Sequence, residues 1–265
     1  MTNIPKVIHY CWFGHNPLPE SMEQCLNSWK KYCPDYEIKC WDESNFDVSE
    51  SLFCYQAYEA KKYAFVTDYA RLKIIYEEGG IYLDTDVELI RSLDTLLDNQ
   101  LFFGAEGIAN VATGLGFGAV PKHPVVEENL RIYTNLSFID AEGQIIAKNC
   151  PYYTNQICRK YGIEFPITQI QQTDLMTVYP NEYFNPYDWK NNIVNITTNT
   201  FSIHHYAATW MTPQQKQALI INSKLDRIEK KYGHTVRRIF DFCVWSSKKR
   251  GGAGLVRTIL RKFKG

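Results

Sequence analysis

The stretch Ile81-Tyr82-Leu83-Asp84-Thr85-Asp86-Val87 limits what this chain can fold into more than any other. An apolar strand runs outward and ends in two carboxylates one residue apart. Strand residues at i and i+2 project to one side, so Asp84 and Asp86 are expected to face a common site. Carboxylates this close repel one another unless a cation lies between them. Hard oxygen ligands suit Mg²⁺ or Mn²⁺, and such an ion, still partly open, would hold a diphosphate. An isolated Asp-x-Asp carries little weight, because most such pairs are solvated strand ends. Here the preceding residues are strongly apolar, a helix carrying Asp68 and Arg71 comes directly before, and a histidine pair, His204-His205, occurs far downstream.

The segments around this strand read as an α/β protein. Residues 6–13 form an apolar, aromatic first strand. Pro19 opens a helix to about Tyr32 that buries Met22, Cys25, Leu26 and Trp29 on one face. Residues 36–41 form a second strand. A β-α-β opening favours a parallel sheet with crossover helices. Phe65, Tyr69, Leu72, Ile75 and Tyr76 make a helical stripe that Gly79-Gly80 stops. Another strand is expected over 101–105. Gly114, Gly116 and Gly118 then alternate, the mark of a strand or loop approached closely by a ligand or another backbone. Helices are expected after His123-Pro124 and over 152–161, a strand over 200–206, and two helices over 213–232 and 236–248.

The 265 residues allow one large domain, and 45% hydrophobic content supplies a substantial core. Net charge is zero, which gives no argument for nucleic acid as a partner. The eight cysteines form no Cys-x-x-Cys and match no zinc spacing, so free thiols in a reducing cytosol are expected. No signal-peptide core and no run of ~18 apolar residues is present.

Three motifs in order carry a resemblance. Ile4-Pro5-Lys6-Val7-Ile8-His9-Tyr10-Cys11-Trp12-Phe13-Gly14 is followed by Ala64-x-x-Thr67-Asp68-x-x-Arg71, and then by Gly79-Gly80-Ile81-Tyr82-Leu83-Asp84-Thr85-Asp86. Together with the late Ile203-His204-His205-Tyr206-Ala207-Ala208-Thr209-Trp210, they resemble glycosyltransferase family 32 over about residues 4–210. That family includes capsular-polysaccharide transferases and, more distantly, the catalytic domains of clostridial glucosylating toxins. The resemblance implies a GT-A fold, with a mostly parallel central sheet and flanking helices, and a retaining transfer from a nucleotide diphosphate sugar, a UDP-sugar being the expected donor. It departs at Gly114, about where many relatives carry Asn, so donor-sugar identity is not carried over. At Thr209 many relatives have Ser.

On this basis Asp86 is expected to ligate the metal, with Asp84 nearer the ribose or reaching the ion through water. His204 or His205 completes the shell or holds the diphosphate. Successive strand residues face opposite sides, so one of the two enters the site, and the register of the resemblance favours His204. Asp68 accepts hydrogen bonds from sugar or ribose hydroxyls, and Arg71 contacts Asp68, the sugar or the phosphate. Trp12 stacks on the base. Tyr82 lines the donor pocket, and Trp210 offers its indole N–H to phosphate. His9 is structural. No general base stands out. Glu106 and Asp174 are unranked for acceptor contacts.

The single catalytic domain is expected over 1–250, with 251–265 as a basic amphipathic tail. Leu255, Val256, Ile259, Leu260 and Phe263 share one helical arc, and Arg257, Arg261, Lys262 and Lys264 take the rest. Such a tail suits an anionic membrane surface and a lipid-linked or glycan acceptor. A cytoplasmic enzyme of surface-polysaccharide assembly, peripheral on the inner face of the plasma membrane, is the expected reading. A toxin-like transferase acting on protein and a non-catalytic sugar- or nucleotide-binding module are the alternatives.

Overall fold

The opening motif folds as its pattern predicts. In the computed structural model, which describes residues 3–188 and 193–207, Val7–Cys11 (β1) and Glu37–Trp41 (β2) are parallel neighbours. Between them runs Glu20–Tyr32 (α1), just after Pro19, with Met22, Cys25 and Trp29 buried and Leu26 half-buried. Glu20 and Glu23 in the first turn and Lys30 and Lys31 in the last complement the helix dipole. The Trp29 indole is fully buried and donates to the Val87 carbonyl at 2.7 Å. Truncating it to alanine would cost roughly 3–5 kcal/mol.

Leu52–Glu59 (α2) and Tyr63–Glu78 (α3) follow. The expected stripe on α3 is too narrow. Val66, Asp68, Tyr69, Ala70, Arg71, Leu72, Ile74 and Ile75 are all buried, so most of the helix circumference faces protein. α3 ends at Gly79, φ +69°, whose N–H bonds the Ile75 carbonyl. At Gly80, φ +94°, a Cβ would lie 2.8 Å from both His9 Nε2 and the Val7 carbonyl oxygen. The glycine pair therefore stops the helix and also lets the next strand lie against β1.

That strand is Gly80–Tyr82 (β3), parallel to β1. The remaining elements are Val87–Leu89 (β4), Leu101–Glu106 (β5), Asn110–Val111 (β6), Phe117–Ala119 (β7), Pro124–Thr134 (α4), Cys150–Lys160 (α5), Gln171–Gln172 (β8), Thr177–Tyr179 (β9), Tyr187–Asp188 (β10), Ile193–Val194 (β11) and Ser202–His204 (β12). The main sheet has the order β2-β1-β3-β7-β5-β9-β8, with β6 paired to β5. β1, β2, β3, β5 and β9 run in one direction, while β7 runs antiparallel between β3 and β5. Away from this sheet, β12 pairs antiparallel with β4, His204 opposite Val87.

Apolar clusters cover both faces of the sheet, and strand alternation divides the residues between them. Leu101, Phe103 and Ala105 of β5 join the cluster built on α2, α3, α4 and α5. Phe102 joins the one built on Trp29, Phe184 and Phe201, where it stacks on Phe184 with ring centroids 5.7 Å apart.

Two strand readings change as well. The single strand expected over 81–87 is two strands, and Asp84 to Asp86 form the turn between them, closed by Val87 N–H to the Asp84 carbonyl at 3.0 Å. The strand expected over 200–206 is confined to β12, and Tyr206 lies in a left-handed turn at φ +50°. All seven described cysteines are free. Among the described residues no helix is long and apolar enough to cross a membrane. Trp210, the helices expected over 213–248, the boundary near 250 and the tail lie outside the described residues.

Candidate functional site

The parallel strands end along one edge of the sheet, and ligands of open α/β sheets bind outside such edges. β1 leads there to Trp12, β3 to Asp84 and Asp86, and β5 closes in Glu106. The two carboxylates come together through the turn after β3, not through strand alternation. The Asp84 N–H is fixed on the Gly114 carbonyl at 3.0 Å.

Behind Asp84 lies a buried ionic group. Arg71 Nη2 is 3.1 Å from Asp68 Oδ1 and 3.5 Å from Asp84 Oδ1, and Arg71 Nε donates to the Thr67 carbonyl at 3.0 Å. The guanidinium carbon stands 5.0 Å from the centre of the Tyr82 ring, and Tyr82 OH donates to Asp84 Oδ1 at 3.1 Å. This is no surface i,i+3 pair worth a few tenths of a kcal/mol. Both Asp68 and Arg71 are buried, and one guanidinium joins the helix carboxylate to the turn carboxylate. Burial pushes the Asp68 carboxyl up to about 7 against the pull of Arg71, and Asp84 adds to the rise. Burial opposes the charge on Arg71, but Asp84, Tyr82 and Asp68 outweigh it and hold the guanidinium ionised. The Cys150 thiol, at the start of α5, adds a hydrogen bond to Asp68.

Asp86 is held from the other side. His204 Nε2 lies 3.0 Å from Asp86 Oδ1, and the Ala207 N–H donates to Oδ2 at 2.8 Å. Burial works against ionisation of Asp86, yet the bond and charge of His204 and the Ala207 N–H bring its pKa below the ordinary carboxylate value. His204 shifts in the matching sense. Burial lowers its pKa, and the bond to Asp86 outweighs that and raises it. Of the two histidines only His204 reaches the carboxylates. The exposed His205 points the other way, as strand alternation requires, and meets the half-buried Glu88 at 2.9 Å.

Asp84, Asp86 and His204 each offer a ligand atom, all within 4.8 Å of one another. Two carboxylates and an imidazole fit Mn²⁺ or Mg²⁺. His204 Nδ1 is buried with no hydrogen-bond partner, as befits a ring with a further role.

Trp12 is half-buried just past β1, its indole N–H donating to the Asn16 carbonyl at 2.6 Å. His9 is buried with both ring nitrogens engaged, by Trp41 Nε1 and the Gly79 carbonyl, each at 3.0 Å. Glu106 accepts from Tyr206 OH at 2.9 Å, and Asp174 is exposed. Sequence reasoning assigned nothing to Tyr206, Cys150 or the Ala207 N–H. Tyr206 stood in a quoted motif and offered the one available signal. A backbone donor leaves none.

The family model described as a glycosyltransferase sugar-binding region containing a DXD motif matches residues 19–103, a span that holds Asp68, Arg71, Asp84 and Asp86. A protein of Acanthamoeba polyphaga mimivirus described as an uncharacterised glycosyltransferase is 26% identical over 222 residues, 78% of this chain and 84% of its own length. Inositol phosphoceramide mannosyltransferase 1 of Schizosaccharomyces pombe is 24% identical over 198 residues, 69% of this chain and 60% of its own length. Among solved structures, the PaToxG glycosyltransferase superposes with a TM-score of 0.46 at 17% identity, covering 60% of this chain and 70% of that one. The sheet order, the antiparallel β7 and the carboxylate turn after β3 make this an α/β fold of the GT-A type.

Proposed function

We propose, from the match to the DXD-containing sugar-binding region over residues 19–103 and the likeness to family 32, that the chain is a glycosyltransferase with the following donor, metal and acceptor. The donor is a nucleoside diphosphate sugar, with uridine as the base. The metal is Mn²⁺, with Mg²⁺ as substitute. Transfer retains the anomeric configuration and delivers the sugar to a glycan or lipid-linked oligosaccharide in surface-polysaccharide assembly. The observation that carries this reading is the convergence of Asp84, Asp86 and His204 beside the buried Asp68–Arg71 pair.

A divalent ion bound there would stabilise negative charge developing on the leaving diphosphate. Asp86 and His204 would hold it, with Asp84 as a further ligand or as a partner of the ribose. Arg71, fixed by two carboxylates, presents positive charge to the phosphates without reorganising. Asp68 accepts a hydroxyl of the sugar or ribose. Trp12 stacks on the base, and Tyr82 forms the floor beneath Arg71. A front-face retaining transfer lets the leaving phosphate take the acceptor proton, so the reading assigns no side-chain base.

The fission-yeast relative is named for transfer to inositol phosphoceramide, which supports a lipid-borne acceptor. The basic segment 251–265 fits the same reading, since its lysines and arginines would dock on anionic lipid. The test is a screen of nucleotide sugars for hydrolysis by the purified chain with Mn²⁺. Release of UDP that ceases in excess chelator is expected. Turnover of GDP-sugars alone would replace the base. No hydrolysis of any donor with any divalent ion would overturn the reading in favour of a binding module.

A further inference from the structure

A short segment from the last residue of β12 onward grips Asp86 at three points. His204 Nε2 lies at Oδ1, the Ala207 N–H donates to Oδ2, and the His205 N–H donates to the Asp86 carbonyl at 3.0 Å. For residues 204–207 to reach both carboxylate oxygens and the main chain of one aspartate, the chain has to turn sharply before Ala207. It does so at Tyr206, whose φ of +50° is uncommon for any residue but glycine. Glycine or asparagine would enter that conformation more readily. A tyrosine there needs surroundings that hold it in place.

The Tyr206 side chain supplies them. Its ring centroid is 4.1 Å from that of His204, the rings inclined at 55°. Its hydroxyl donates to Glu106 Oε1 at 2.9 Å and accepts from Asn185 Nδ2. Glu106 ends β5, and Asn185 is 1% exposed. The hydroxyl has one proton, which goes to Glu106, so Asn185 has to present its amide N–H. That orientation leaves Asn185 Oδ1 buried with no partner, a cost that most folds avoid. The polar chain from Asn185 through Tyr206 to Glu106 thus ties the gripping segment to β5 and to the connection just before β10, both outside the β4–β12 pair.

We propose that Tyr206 is a positioning residue, anchored by Glu106 and Asn185, that holds Asp86 and His204 in place for the divalent ion. The inference rests on the metal-dependent reading above. It assigns Tyr206 no contact with substrate. Groups that orient metal ligands commonly govern affinity in this way.

The test is calorimetric titration of Mn²⁺ into the full chain and its variants, with thermal unfolding as a check on folding. Tyr206→Phe keeps the ring and removes the hydroxyl, and Glu106→Ala removes its acceptor. Each is expected to weaken Mn²⁺ binding about tenfold. Glu106→Gln keeps an acceptor oxygen for the phenol and is expected to bind within about twofold of the unaltered chain, a small fraction of that loss. If Tyr206→Phe does not fold, Glu106→Ala carries the comparison. Unchanged affinity in the folded variants overturns the positioning role alone. So does a Glu106→Gln variant as weak as Glu106→Ala, because the charge of Glu106 and not its bond to Tyr206 would then matter. An unaltered chain that takes up no Mn²⁺ overturns the metal reading and this inference with it.

Discussion

The carboxylate of Asp84 lies against the α-carbon of Gly114, so that a Cβ added at residue 114 would stand 2.0 Å from Asp84 Oδ2 and 2.7 Å from Arg71 Nη1. No rotamer change at Arg71 alone relieves this, since the nearer contact is with the Asp84 carboxylate, which Tyr82 OH holds at Oδ1. The alternating glycines of this segment therefore have separate reasons. Gly114 leaves room for Asp84, Gly116 for Phe184, and Gly118 for Phe102 and the Gly80 carbonyl.

Gly114→Ala is expected to displace Asp84 and lower transfer at least about a hundredfold, the scale of a 1 Å misplacement at a reacting centre. Overpacking of this kind costs about 1–3 kcal/mol, so the protein should still fold. Activity and thermal unfolding measured together check this. A folded, fully active variant would show that Asp84 tolerates another position.

Arg71 sits between Asp68 and Asp84, and removing it leaves two carboxylates without a counter-charge. Arg71→Met is expected to cost about 3–5 kcal/mol at pH 8, the usual penalty for breaking a buried pair. Asp68 already has its pKa pushed up to about 7. A carboxyl raised in the fold favours folding below its unfolded value of 3.8, and that contribution is lost as pH rises through 7. In the variant Asp68 rises further and takes up a proton, so the deficit relative to the unaltered protein should shrink at pH 5. Urea unfolding of both proteins at pH 5 and pH 8 measures it, and an equal deficit at both would mean that Asp68 does not absorb the loss.

How much of this was legible in the sequence depends on how local each feature is. The β1-α1-β2 unit and the Gly79 stop follow from periodicity and from glycine's access to positive φ. α2 leaves no readable signal, because Phe53, Cys54 and Ala57 are its buried residues and eight residues with exposed Leu52 and Tyr55 make no clear stripe. The carboxylate pair is legible but its turn is not, since a turn between two short strands in different sheets has no pattern of its own. The pairing of β12 with β4 joins His204 to Asp86 across 118 positions, and only the resemblance suggested it. Tyr206 φ is set by tertiary contacts that no local rule contains.

Trp12 follows the last residue of β1 and is half-buried, with its own N–H held by the Trp41 carbonyl at 2.9 Å. The backbone is thus fixed without the indole. Trp12→Ala is expected to weaken binding of a free nucleoside diphosphate about tenfold or more, from a stacking contribution of ~1–3 kcal/mol. Mn²⁺ affinity should stay as it was. Calorimetry with nucleotide and with metal separates the two, and unchanged nucleotide affinity would leave Trp12 a packing residue.

His9 sets an acid limit on stability. Its Nδ1 accepts from the Trp41 indole, so the ring proton sits on Nε2 and donates to the Gly79 carbonyl. A second proton on Nδ1 would face a donor. Burial pushes the His9 pKa down to about 4, with Lys39 acting in the same sense and Glu78 and the Gly79 carbonyl opposing. The unfolded chain, with a value of 6.5, therefore binds a proton first as pH falls. Stability present above pH 6.5 should be lost between 6.5 and 4, by about 3 kcal/mol at most. His9→Gln cannot take up that proton. It should start about 1–2 kcal/mol less stable at neutral pH, from an imperfectly replaced buried bond, and lose less on acidification. Denaturant unfolding at pH 7.5 and 4.5 reads both slopes. Equal acid sensitivity in the two proteins would assign the loss to another group.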